Sequence, residues 1–222
     1  MGTLILIRHG QSQWNLENRF AGWSDIPLTD RGRKDAVATA KVLEKYRFDR
    51  AFTSRLMRGS ETLDIILKTL KQTGIPVMAD SALNERHYGD LQGLNKAETV
   101  KKYGEEQVQL WRRSFSTRPP KGESHQDCVQ RVTPFYRQYI LPHVEKGETV
   151  IVAAHGNSLR PIIMELDGLN GEEAAKMEIG LCTPYVYTIE GGKKTGKEII
   201  EVPGIVTQGA SLKDASVSEG RI

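Results

Sequence analysis

Two short apolar runs in this chain stop at the same dipeptide. Thr3 to Ile7 ends at Arg8-His9-Gly10, and Thr149 to Ala154 ends at His155-Gly156-Asn157. Brief aliphatic and β-branched runs without polar alternation have the pattern of strands buried on both faces, which occur in parallel sheets covered by helices. A third, weaker run, Asp49 to Thr53, ends at Ser54-Arg55. Helical stretches separate the strands. The spacing predicts a helix after Ser54-Arg55 through Leu70, one from Asp30 to Tyr46 with Thr29 or Asp30 as cap, and one from His125 to Val144. Strands alternating with helices predict an α/β fold, a three-layer α/β/α arrangement with a mostly parallel central sheet. Ligands of such sheets bind beyond the carboxyl ends of the strands, where His9, Arg58 and His155 fall.

The chain has 222 residues, 38% of them hydrophobic, enough for one well-buried domain, expected over residues 1–202. Residues 81–121 stand apart because they are rich in charged, aromatic and glycine residues and show no clear strand. A polar excursion of that length inside a compact domain is a functional feature more often than an idle one, so it is expected to cap the strand ends and hold substrate. Residues 203–222, with Gly, Ser and mixed charge, are expected to form a mobile tail.

Charge and cysteine usage narrow the function classes. The 31 basic and 28 acidic side chains leave a net charge of +3, too weak a field for a nucleic-acid surface. The apolar runs are far shorter than the ~20 residues needed to cross a bilayer, so no membrane association is expected. The N-terminus has no positively charged leader, which points to a cytoplasmic protein. Cys128 and Cys182 have no metal-ligand or redox spacing and read as reduced structural thiols.

A histidine at the end of a buried strand, between an arginine and a glycine, can present a ring nitrogen to a phosphorus atom. A lone His-Gly reads more readily as a buried, hydrogen-bonded histidine at a strand end. The pairing of His9 with His155 favours a shared anion site, in which Arg8, Arg58 and a donating His155 would neutralise phosphate oxygens. A metal bridging the two rings would need a third ligand, and no Cys, His or carboxylate stands at a recognisable spacing. Glu85 is a candidate general acid and base, although on its own it reads more readily as a surface glutamate paired with Arg86 or a lysine. Arg112 and Arg113, beside Trp111 and with Lys96 and Tyr88, either grip a second anionic group or form a solvated face. Ser12, Asn15 and Gly22 either complete a phosphate cradle or serve ordinary turn chemistry.

The segment Leu6-Ile7-Arg8-His9-Gly10-Gln11-Ser12 resembles the signature of the histidine phosphatase superfamily. Leu83-Asn84-Glu85-Arg86-His87-Tyr88-Gly89, Leu94-Asn95-Lys96, Trp111-Arg112-Arg113 and Ala154-His155-Gly156-Asn157-Ser158 resemble its cofactor-dependent phosphoglycerate mutase branch, covering the chain to about Tyr187. The resemblance implies that His9 carries a phosphoryl group, that Glu85 moves the proton, and that His155, Arg8, Arg58 and Asn15 hold the phosphate. It assigns the rest of the substrate to Ser12, Gly22, Tyr88, Lys96, Arg112, Arg113 and Asn157, with Gly156 beside it and Ala21 where the family commonly has Thr. The implied reaction interconverts 3-phosphoglycerate and 2-phosphoglycerate after priming by 2,3-bisphosphoglycerate, with no metal. It would serve glycolysis and gluconeogenesis, and a homo-oligomer is compatible with it. A hydrolase of the same superfamily would share the two histidines, but such relatives generally lack the long arrangement from Asn84 to Arg113. A silent phospholigand-binding module would be expected to lose one histidine.

Overall fold

The computed structural model describes residues 1–205. Its elements begin with β1 (Gly2–Arg8), a short α1 (Gln13–Leu16), α2 (Asp30–Val42), β2 (Arg50–Thr53), α3 (Met57–Thr69) and β3 (Val77–Ala79). Two further helices follow in the polar excursion, α4 (Lys96–Tyr103) and α5 (Glu105–Arg113). The chain then forms α6 (His125–Phe135), α7 (Leu141–Glu145), β4 (Thr149–Ala154), α8 (Gly156–Asp167), α9 (Gly171–Lys176), β5 (Pro184–Glu190) and β6 (Lys193–Ile199). One sheet runs in the order β3-β2-β4-β1-β5-β6. Strands β3, β2, β4 and β1 are parallel, and β5 and β6 extend the sheet as an antiparallel hairpin. The α/β, mostly parallel architecture is therefore as expected, with the three predicted strands at its centre.

The two-residue period of β1 builds both cores at once. Leu4 and Leu6 join Val150, Val152, Val132 and Leu159 on the face covered by α6 and α8. Ile5 and Ile7 join Ala36, Ala40, Leu63 and Ile66 on the face covered by α2 and α3. All four β1 side chains are fully buried. Burial of each contributes roughly 1.5–3 kcal/mol of transfer free energy, which pins the strand register that carries the site. The residues 81–121 have a smaller core of their own, in which Leu91, Val108 and Trp111 pack with Phe20.

Several boundaries differ from the sequence expectation. The helix expected to reach Tyr46 ends at Val42, because the Leu43 and Tyr46 amides bond back only three residues, to Ala40 and Leu43, and the chain turns to bury Phe48. The helix expected from His125 to Val144 is helical throughout but π-wound over Tyr136–Ile140. Pro142 has no amide to bond to Gln138, and its ring would crowd that carbonyl, so the wider turn relieves the conflict. Strands β3, β5 and β6 were not foreseen. Both cysteines are free and buried. Among the described residues no helix is long and apolar enough to cross a membrane. Of the expected mobile tail, residues 206–222 lie outside the described residues.

Candidate active site

The parallel pairing of β1 with β4 sets Arg8 opposite Ala154, so both strands deliver their next residue, His9 and His155, at the same edge of the sheet. The ring centroids are 5.0 Å apart, tilted by 57°. Nδ1 of His9 lies 2.7 Å from the carbonyl oxygen of Gly10. A carbonyl can only accept, so Nδ1 carries the hydrogen and Nε2 keeps its lone pair. Burial, then the charges of Arg58 and Arg8, hold the ring well below the usual histidine range and therefore neutral. This is the state a nucleophilic imidazole requires.

His155 is fully buried, behind His9 and outside the cleft lining. Its Nε2 is 2.7 Å from Oγ of Ser54, the residue that ends β2, and its Nδ1 has no hydrogen-bond partner. Burial, then Arg58 and His9, lower its basicity as well. Ser54, which the sequence reading marked only as a strand end, is thus the group that orients this ring.

The cations are held by backbone carbonyls, and among the described residues neither Arg8 nor Arg58 forms an ion pair with a carboxylate. Arg8 donates Nη1 to Ile179 O at 2.9 Å, and its Nε is without partner. Arg58, on α3 and fully buried, donates to the carbonyls of Gly22 and Ser24 at 2.7 and 2.9 Å, also with Nε free. Burial lowers its pKa to about 10, so it stays charged at neutral pH. Glu85 is 8% exposed in the cleft wall and accepts the backbone amides of Arg86 and of Asn157, at 2.7 and 3.2 Å. The second amide belongs to the first turn of α8, where helix amides favour negative charge. The alternative pairing of Glu85 with the Arg86 guanidinium is not seen, because that group stacks over the Tyr88 ring instead.

A cleft opens above these groups. Its other wall comes from the cap. Lys96 begins α4, and Arg112 and Arg113 end α5, so all three cations face one space rather than bulk solvent. Burial, then Arg112, draws the Lys96 pKa down to about 8. Tyr88 and Asn157 line the same wall, with Asn157 Nδ2 3.4 Å from the Tyr88 hydroxyl. Asn15, Ala21, Gly22 and Gly156 also line it. Ser12 does not. Its buried hydroxyl donates to Asn15 Oδ1 at 2.9 Å and caps α1, so the expected substrate contact is a turn contact in this structure. The sequence reading missed Arg19, Phe20, Arg160 and Glu178, which reach the cleft from distant parts of the chain.

Unpartnered buried donors are rare in folded proteins, because each costs about 1–3 kcal/mol. Here the donors Arg8 Nε and Arg58 Nε are orphaned near His9, and His155 Nδ1 is likewise without a partner. Two poles of positive charge, one at the strand ends and one in the cap, fit a compact ligand with an anionic group at each end. A phosphorylated, carboxylated glycerate or its bisphosphate has that form. Among the described residues no three His, Cys, Asp or Glu side chains gather as a metal-ligand set.

The model of the histidine phosphatase superfamily (branch 1) matches residues 4–201. The chain is 52% identical over 187 residues, 84% of its length and 85% of the relative's, to the 2,3-bisphosphoglycerate-dependent phosphoglycerate mutase 2 of Gloeobacter violaceus. It is 48% identical to the 2,3-bisphosphoglycerate-dependent phosphoglycerate mutase of Bartonella henselae, covering 90% of this chain and 98% of that one. Among solved structures it resembles Bacillus stearothermophilus YhfR, with a TM-score of 0.77, 29% identity and coverage of 92% and 97%. A mycobacterial glucosyl-3-phosphoglycerate phosphatase, Rv2419c, aligns with a TM-score of 0.78 at 26% identity, covering 90% and 98%.

Proposed function

The chain belongs to the histidine phosphatase superfamily, branch 1, and on that premise we propose that it moves a phosphoryl group between the 3- and 2-hydroxyls of glycerate by way of His9. It is a 2,3-bisphosphoglycerate-dependent phosphoglycerate mutase, an isomerase of glycolysis, like relatives about half identical to it over most of the chain. The observation that carries the mechanism is the hydrogen bond from His9 Nδ1 to Gly10 O, which leaves Nε2 as a free nucleophile beside the unpartnered Nε donors of Arg8 and Arg58.

The residues divide the work. When bound, 2,3-bisphosphoglycerate supplies the phosphoryl group with which His9 is charged. Arg8, Arg58 and His155 would hold its phosphate, and Lys96, Arg112 and Arg113 its far end. With His9 charged, the 2-hydroxyl of bound 3-phosphoglycerate attacks phosphorus, the N–P bond breaks, and Glu85 takes the hydroxyl proton. The phosphate on the 3-oxygen is then returned to His9 Nε2, and Glu85 gives the proton back to that oxygen. Arg8 and Arg58 line the cleft beside His9 and would face the charge that develops on phosphorus, and His155, packed against the His9 ring, would add its unpartnered Nδ1; being fixed before the reaction, these groups need no reorganisation. The cap cations retain the ligand between the two transfers and keep water away from the charged histidine. Residues 1–202 act as one catalytic domain with 81–121 as its cap. Fixed cations take the role a metal would otherwise have, and a glycolytic reaction fits an enzyme of the cytoplasm.

Turnover of 3-phosphoglycerate, with and without 2,3-bisphosphoglycerate and with free phosphate monitored, tests the reading. Isomerisation that depends on the bisphosphate is expected. Phosphate release without isomerisation would replace the mutase by a hydrolase, the activity named for the mycobacterial structure.

A further inference from the structure

Two carboxylates line the cleft, Glu85 and Glu178. The mechanism uses Glu85 and leaves Glu178 without a task. Glu178 lies between α9 and β5, with 48% of its side chain exposed, and its Oε1 accepts a hydrogen bond from Nη2 of Arg113. Among the described residues Lys96 and Arg112, on the same wall, have no carboxylate partner. Two of these three cations therefore have no carboxylate ion-pair partner among the described residues, and the third already has one.

The cleft has two electrostatic poles. The charges that act on His9 are those of Arg58 and Arg8. Arg113 acts on Lys96, Arg112 and Arg160, with Arg8 acting on Lys96 and Arg160 as well, and Glu178 acts on Arg112. Glu178 is paired with Arg113, on the wall that meets the end of the ligand remote from the transferred phosphate. An ion pair this exposed is weak, so a ligand anion can replace it.

We propose that Glu178 sets the affinity of the site, as an internal competitor for Arg113 that yields to a ligand whose far end carries its own negative charge. The inference rests on the mutase reading for the identity of that ligand. A phosphoglycerate brings a carboxylate and exchanges it for Glu178. Glycerol 3-phosphate, equally long but uncharged at its far end, cannot make the exchange and leaves the pair closed. The carboxylate therefore tunes downwards the affinity for ligands that bring a second anion, against the sum of positive charge in the cleft, and leaves ligands without one almost unaffected.

The sign of the effect separates this role from a structural one. Calorimetric dissociation constants of 3-phosphoglycerate and glycerol 3-phosphate are compared for the unaltered enzyme, Glu178→Gln and Glu178→Ala. We expect both variants to bind 3-phosphoglycerate about three- to tenfold more tightly, the size set by a weak ion pair, with glycerol 3-phosphate changed less than twofold. Weaker or unchanged binding of 3-phosphoglycerate would show that the pair merely props the cap and would overturn the proposal. Equal tightening of both ligands would also overturn it, since Glu178 would then be only a general source of repulsion. Bisphosphate-dependent turnover of the unaltered enzyme is recorded in parallel. Its absence defeats the mutase reading, whereas normal turnover with unchanged affinities defeats this inference alone.

Discussion

At the end of β1, His9 lines the cleft with Nδ1 tied to the next carbonyl and Nε2 free; at the end of β4, His155 lies wholly buried behind it, with Nε2 tied to Ser54 and Nδ1 unpartnered. The glycines differ as much as the rings. A Cβ on Gly10 would sit 2.5 Å from the carbonyl oxygen of Gly32 in α2, whereas on Gly156 its nearest neighbour would be Arg8 Nε at 3.7 Å. The course of the chain beyond each dipeptide explains the difference. After Gly10 it makes a loop that must pass under α2, and after His155 it starts α8 directly, whose early amide at Asn157 reaches Glu85. The same two letters thus build a nucleophile in one place and its support in the other.

Variants that remove one ring at a time test that division most severely. His9→Ala is expected to abolish turnover, and no acid-labile phosphate should appear on the protein after exposure to 2,3-bisphosphoglycerate. His155→Ala should still accept phosphate on His9, with turnover reduced about 10²–10³-fold, the usual size of a lost transition-state donor. Labelling of His155 in the His9→Ala protein would reverse the assignment. Glu85→Gln is expected to lose about 10²-fold in rate with a small change in KM, since it removes a proton carrier and keeps the shape. An unchanged rate would take Glu85 out of the proton path.

Much of this centre was legible because β1 and β4 are uninterrupted apolar runs, and a strand buried on both faces leaves that trace whatever surrounds it. Their adjacency was not legible, since the sheet order that puts β4 between β1 and β2 is a matter of packing. The β5–β6 hairpin left a readable signal at Gly191-Gly192, both with positive φ, as a two-residue hairpin turn demands. Strand β3, three exposed residues at the sheet edge, left almost none. Glu85 could not be told from a surface glutamate until burial decided it, and Arg160 and Glu178 carry no local pattern because tertiary folding alone brings them to the cleft. Ser12 is the reverse case, a residue inside a recognisable motif whose hydroxyl is occupied in capping α1.

The two glycines offer a stability test of the same comparison. Gly10→Ala must displace the backbone of α2 and is expected to cost roughly 1–3 kcal/mol, as overpacking does. Gly156→Ala meets only ordinary van der Waals distances in the first turn of a helix and should stay within about 0.5 kcal/mol. Thermal or denaturant unfolding reads both. Equal losses would mean that the two strand ends are constrained alike.

In one respect the two histidines should behave identically, and the effect is the smallest. Both are neutral in the folded protein because burial and neighbouring arginines push their pKa values well below the ordinary value of 6.5. Above that value neither state of the chain binds the proton. Below it the unfolded chain takes up protons that the folded one refuses, so stability falls as the pH drops and each ring contributes to the slope. Between pH 7 and pH 6 the loss is about 0.7 kcal/mol per histidine, from the linkage relation with a fully neutral folded state. His9→Ala and His155→Ala should therefore flatten the stability profile in that window by the same amount, although their activities differ greatly. If only His9→Ala flattens it, His155 is protonated in the folded enzyme, and it would meet the phosphate as a cation rather than as a neutral donor.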